Sequence, residues 1–234
     1  MLIVDSYSTT KIVRVSLSGY EEIDDIVAEE IEGRVYVDGV EVFRIQTSPH
    51  MLKYLGIGYA VTHGFDLTEA RTIVENNNVL LFYAKPFARE VDECSTDLKI
   101  KVRSRDILKM FEEASKSAKL FTMTGCFHFS ALFTLDGVLI EIVEDISRLG
   151  SLLKLIGKAY ESGVDFRKTV VVLSSRAGSE MVKAITAMGI PIAVFRGAPT
   201  RKAIEIARSC NMALIGHVRG DRFNVYSGFE LVEL

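Results

Sequence analysis

The chain has 234 residues, 48% hydrophobic and 25% charged, the composition of an ordinary soluble globular protein with one large domain or two small ones. Lysine and arginine number 28 against 31 acidic residues, and the net charge of −3 argues against wholesale binding to nucleic acid or anionic membrane while leaving room for a local basic site. The longest apolar runs, such as residues 170–173, are strand-sized and too short for a bilayer, and residues 1–5 lack the basic start and apolar stretch of a signal peptide, so a cytoplasmic protein is expected.

The N-terminal third reads as β-rich. Residues 11–17 alternate apolar and polar side chains, as a strand does. Residues 34–45 read as a hairpin turning at Asp38-Gly39, because glycine accepts the positive φ that a two-residue turn needs. Ser48-Pro49 predicts a helix start with proline at the first helical position, running to about Ala60 with Leu52 and Leu55 inward. Residues 79–84 form another strand. From Pro86 to Asp97 no period survives and charge is dense, so a loop is expected. Ser104 is read as the cap of a helix over residues 105–119.

The order then becomes regular. A turn at Thr124-Gly125 leads through His128 into a hairpin that turns at Asp136-Gly137, followed by a helix over residues 147–162. Strands at 169–173, 191–194 and 212–216 then alternate with helices at 179–188 and 200–208. Apolar strands separated by helices predict parallel strands covered on both faces. The expected fold class is therefore α/β. The expected division is an α+β domain over residues 1–103 and an α/β domain over residues 104–234.

In such sheets ligands bind beyond the carboxyl ends of the strands, which directs attention to the residues just after each one. Ser174-Ser175-Arg176-Ala-Gly-Ser179 has small residues that let backbone amides approach a ligand, an arginine fork suited to phosphate or carboxylate, and a helix N-terminus behind it. The plainer reading is that Ser179 caps the helix and Arg176 is solvated. Arg196-Gly197-Ala198-Pro199-Thr200 repeats the pattern at the next strand, with Thr200 a second cap. Arg219-Gly-Asp-Arg222-Phe-Asn224-Val-Tyr226 carries arginines, an amide and aromatics able to recognise a phosphorylated heterocycle, or is simply a surface hairpin. Glu141, Glu144 and Asp145 offer either acid–base chemistry or a cap for the following helix.

Three cysteines, Cys94, Cys126 and Cys210, lie too far apart and too few in number for a disulfide framework, and no CxxC pair suggests structural zinc. A zinc deaminase needs His-x-Glu and Pro-Cys-x-x-Cys, and His128 is followed by Phe129-Ser130. His128 is then either a ligand contact or a buried, hydrogen-bonded histidine. Cys94 sits in the unpatterned loop beside Asp92, Glu93 and Asp97, which disfavour a thiolate.

Taken in order, these segments resemble the FdhD/NarQ family of formate dehydrogenase accessory sulfurtransferases. Thr124-Gly125 through His128 resembles its TGG-x-H segment, Glu144-Asp145-Ile-Ser-Arg148 its EDVGR, and Ser175-Arg176 through Val182 its SGR-x-S-x-E-(L/M)-V. Ala198-Pro199-Thr200 and Arg222 through Tyr226 complete the series, with Thr47-Ser-Pro49 and Leu55-Gly-Ile-Gly58 as looser matches. The resemblance implies a cytidine-deaminase-like three-layer domain, with a mixed, mostly parallel sheet and no zinc, beside a smaller β-rich N-terminal domain. It also implies a homodimer that takes sulfur from a cysteine desulfurase, carries it as a persulfide on Cys94, and passes it to the molybdenum or tungsten bis(molybdopterin guanine dinucleotide) cofactor of formate dehydrogenase. The implied binding residues, for that cofactor or a GDP-like ligand, are Thr124, Gly125, His128, Ser174, Ser175, Arg176, Ser179, Ala198, Pro199, Thr200, Arg222 and Asn224. The chain departs from the pattern where the family has C-x-x-C and this sequence has Cys94-Ser-Thr-Asp97, and where TGG becomes Thr124-Gly125-Cys126. The alternative is a family member that binds the nucleotide or cofactor without transferring sulfur. An unrelated nucleotide hydrolase or deaminase lacks a recognisable set of base and metal ligands.

Overall fold

The computed structural model describes residues 6–86 and 100–234. The first described element is an antiparallel ribbon of β1 (Tyr7–Ser16) and β2 (Gly19–Ala28) that joins no other sheet among the described residues. The alternation in residues 11–17 does mark a strand, but Val13 and Val15 face solvent rather than a core. β3 (Ile31–Val37) and β4 (Val40–Thr47) form the second hairpin, and Asp38 and Gly39 take φ of 46° and 84°, the two positive values that such a turn requires.

α1 (Leu52–Thr62) begins later than Pro49. The cause is local: Thr47 and Ser48 both donate their hydroxyls to Asp145, which pins the chain there, and Met51 takes a left-handed φ of 59° before the helix can start. β5 (Arg71–Glu75) and β6 (Asn78–Phe82) complete a sheet of order β4-β3-β6-β5. The short strand Val102–Arg103 pairs with Val232–Glu233 and leads into α2 (Ser104–Ser117). Ser104 is the first helical residue and not the cap, because Arg103 holds the extended cap position and no side chain bonds there. α3 (Lys119–Thr124) follows and is closed by Gly125 at a φ of 66°.

The larger sheet contains β7 (His128–Thr134), β8 (Leu139–Asp145), β9 (Thr169–Leu173), β10 (Ile192–Phe195), β11 (Ala213–Arg219) and β12 (Arg222–Ser227), in the order β8-β7-β9-β10-β11-β12. α4 (Arg148–Glu161), α5 (Ser179–Ala187) and α6 (Arg201–Ser209) are the crossovers. The sheet is mixed but not mostly parallel, since only β9 with β10 and β10 with β11 pair in parallel. The reason is topological. The β7–β8 hairpin reverses the chain, the α4 crossover restores the direction of β8 in β9, and β7 lies between them antiparallel to both.

Strand alternation sorts the core. Val170, Val172, Ile192 and Val194 pack with Ile107, Met110 and Ala114 of α2 on one face. Val171, Leu173, Ala193 and Phe195 pack on the other with Leu152, Ile156, Val182 and Ala203. Beyond that helix layer, α1 lies on α4, and the same apolar cluster continues through Leu55 to Val35 and Val79.

Candidate functional site

The loops after β9 and β10 are laced together at the carboxyl edge of the sheet. Arg196 N donates to Leu173 O at 2.9 Å, Gly197 N to Ser175 O at 3.0 Å, Ala177 N to Ala198 O at 3.2 Å and Thr200 N to Ala177 O at 3.0 Å. Ser174 is buried, accepts from Phe129 N at 3.0 Å and lies 3.2 Å from His128 Nδ1. Thr200 caps α6 by accepting from Ala203 N, as its residue type predicts. Ser179 does not cap α5: Gly178 holds that position, and Ser179 is the first residue of the helix.

These loops frame a cleft of about 310 Å³ lined by His128, Arg148, Ser174, Ser175, Arg176, Arg196, Gly197 and Arg219. Four arginines line it, and none of them pairs with a carboxylate among the described residues. Like charges gathered on one cleft favour a polyanion in it, and planar forks suit phosphate oxygens. His128 is half-buried. Its pKa is lowered, first by burial and then by the Arg148 charge, against a weaker opposing pull from Asp145, so the ring is neutral at neutral pH. It is both hydrogen-bonded and part of the cleft wall, and the two readings open in the sequence coincide.

Of the residues singled out in the sequence, His128, Ser174, Ser175 and Arg176 line the cleft. Ala198, Pro199 and Thr200 brace it from the neighbouring loop. Thr124 and Gly125 end α3: the Thr124 hydroxyl donates to Leu120 O and accepts from Cys126 N. Arg222 and Asn224 do not line the cleft. Asn224 Nδ2 donates to the Tyr226 hydroxyl, and the cation at that place is Arg219. A β-bulge at Gly216–His217, where His217 has a φ of 54°, shifts the β11–β12 register, and Arg219 Nη1 bonds Arg196 O at 3.1 Å. Cys94 lies outside the described residues. Cys126 is exposed, two residues before His128.

Arg148 lines the cleft as well, although the sequence reading does not place it among the binding residues. β8 runs parallel to β9, so its carboxyl end reaches the same sheet edge, and Arg148 opens the helix that follows it. The strand-end rule applied to β8 would have found it. Asp145 proves to be a structural anchor. It is fully buried and accepts from Ser147 N at 2.7 Å, Thr47 Oγ1 at 2.7 Å, Ser48 Oγ at 2.9 Å and Lys154 Nζ at 2.5 Å. Glu141 instead pairs with Lys158.

The model of the FdhD/NarQ family matches residues 83–233, which include the whole cleft. The chain belongs to the FdhD/NarQ family. Protein FdhD of Methanocaldococcus jannaschii is 32% identical over 223 residues, covering 95% of this chain and 97% of that protein. The sulfur carrier protein FdhD of Sulfolobus acidocaldarius is 33% identical over 200 residues, covering 85% of this chain and 78% of the relative. A crystal structure from Desulfotalea psychrophila, described as that of a formate dehydrogenase accessory protein, has the same fold at a TM-score of 0.85 and 22% identity, covering 98% of this chain and 100% of that one. All four cleft arginines thus fall within the segment that carries the FdhD/NarQ signature. Among the described residues no helix is long and apolar enough to cross a membrane.

Proposed function

We propose that this FdhD/NarQ chain is a sulfur carrier that takes persulfide sulfur from a cysteine desulfurase onto Cys94 and delivers it to the molybdenum or tungsten cofactor of formate dehydrogenase. The cleft would hold the phosphates of that cofactor's guanine-dinucleotide arms. The observation that carries the binding half is the convergence of Arg148, Arg176, Arg196 and Arg219 on one cleft with no carboxylate partner among the described residues. The sulfur half is supported by family membership and by relatives that are named as sulfur carriers. One cysteine suffices chemically: a thiolate attacks the terminal sulfur of the donor persulfide, and the donor thiolate leaves.

The carrier role is tested by incubation with a cysteine desulfurase and sulfur-labelled cysteine. Label is expected on Cys94 and is expected to vanish in Cys94→Ala; label that never appears, or that survives the substitution, removes the carrier assignment. The cleft is tested separately with GDP. A ligand present at a hundredfold its Kd stabilises the folded state by about 2.7 kcal/mol, so a clear rise in Tm is expected, and Arg176→Ala should abolish it. A second reading, cofactor binding without sulfur transfer, is favoured by the single cysteine in Cys94-Ser-Thr-Asp97. GDP binding without label would establish it in place of the first.

A further inference from the structure

We propose that Glu144 is a positioning residue of the arginine cleft, holding α3 in place so that the Phe121 ring fixes the Arg196 guanidinium at the cleft wall. The inference rests on the reading of that cleft as an anion site. Glu144 is the penultimate residue of β8 and is half-buried. One carboxylate oxygen accepts from Phe121 N at 2.6 Å and the other from Leu120 N at 3.1 Å. Both donors belong to the first turn of α3, whose N-cap, Ala118, supplies no side-chain bond. A six-residue helix is far too short to persist on its own, so an external anchor on its free amides decides whether it stays folded.

What α3 carries explains why the anchor matters for the cleft. Phe121 meets the buried Phe129 ring edge-on at 5.6 Å, and its face receives Arg196, whose guanidinium carbon lies 6.0 Å from the ring centroid. With no carboxylate partner among the described residues, that ring is the neighbour that restrains Arg196. The Arg219 Nη1 bond goes to the backbone carbonyl of Arg196 at 3.1 Å and is independent of that ring, so Arg196 is the one cation of the four that the wall holds. A charged group outside the cleft thus sets its shape through one short helix, and does so without touching the ligand.

The test is calorimetric titration of the full chain with GDP, comparing wild type, Glu144→Gln, Glu144→Ala, Arg196→Ala and the double variant Glu144→Ala/Arg196→Ala. Glu144→Ala should weaken binding about fivefold or more, Glu144→Gln less so because one accepting oxygen remains, and Glu144→Ala should cost nothing further once Arg196 is gone. The amides of Leu120 and Phe121 should exchange with solvent faster in both single Glu144 variants while the sheet amides keep their protection. A general loss of packing would instead add its effect in the double variant. Wild-type affinity in both Glu144 variants, or additive losses, overturns the proposal. Should Glu144→Ala fail to fold, Glu144→Gln carries the same comparison in the Arg196→Ala background. If wild type binds no GDP, the anion-site reading itself falls, and this inference falls with it.

Discussion

His50 shows how a single residue reports on its surroundings. It is half-buried, its Nδ1 lies 2.6 Å from Ser6 Oγ, and its ring stands 6.5 Å from Phe127. Its pKa is pushed down from 6.5 to about 4, first by burial and then by the Lys154 ammonium, with Asp145 and a backbone hydrogen bond to Glu144 opposing. A folded-state value below the unfolded one means that the unfolded chain binds the proton first. Stability from this group is therefore complete above pH 6.5 and is lost as pH falls toward 4, by on the order of 2–3 kcal/mol. His128 contributes in the same direction. Thermal melts from pH 7 to 4.5 should show Tm falling, with a shallower fall in His50→Gln, which keeps a polar partner for Ser6 but takes up no proton. Equal slopes for the two proteins would assign the acid sensitivity to other groups. Nothing in the sequence marks His50, because its shift arises from burial and from Lys154, a residue about a hundred positions away.

At the scale of elements, the crossing of α1 and α4 joins the first half of the chain to the second. A methyl group at Gly58 would lie 1.9 Å from Leu153 O, and one at Gly157 would lie 2.1 Å from Tyr54 O, so each glycine lets the other helix's backbone approach. Alanine inside a helix normally stabilises it by roughly 1 kcal/mol relative to glycine. Here the sign should reverse, and Gly58→Ala should cost about 3 kcal/mol by forcing the two helices apart. Urea denaturation reads this directly, and a neutral or stabilising result would mean that the crossing is looser than described. Both helices were legible, since apolar residues recur at helical spacing in each. That their glycines face each other was not, because periodicity assigns a buried face without naming what covers it. The same limit explains the serines. Ser104 and Ser179 both read as caps by residue type, yet each is the first residue of its helix. Ser147 and Thr200 do cap, accepting from Gly150 N and Ala203 N.

At the scale of the whole molecule, the alternating second half and the strand-end cleft could be read from sequence because strand and helix signals there are short, strong and consecutive. Lys154 could not. It lies among the core positions of α4 at Leu152, Leu153, Leu155 and Ile156, and a lysine in such company reads as a solvent-facing interruption. It is fully buried because α4 is covered by the sheet on one side and by α1 on the other, which leaves the helix no free face at that point. Its ammonium donates to Asp145 and to Ser48 O at 2.9 Å, so one ion pair ties the end of β4, the end of β8 and the middle of α4 into a single knot. Burial lowers the pKa of Lys154, and Asp145 opposes the shift. Lys154→Met would leave the Asp145 carboxylate buried without its counter-charge, a cost of about 3–5 kcal/mol. Adding Asp145→Asn should recover much of that loss, because the amide oxygen still accepts from Thr47 and Ser48 while the buried charge is gone. Equilibrium urea unfolding, followed by both far-ultraviolet circular dichroism and tyrosine fluorescence, measures both variants. Coincident transitions are expected, since the apolar cluster that contains Leu55 and Leu153 runs unbroken through both halves. A double variant no more stable than Lys154→Met would show that the knot holds the molecule together through the shape of Lys154 and its bond to the Ser48 carbonyl, rather than through charge.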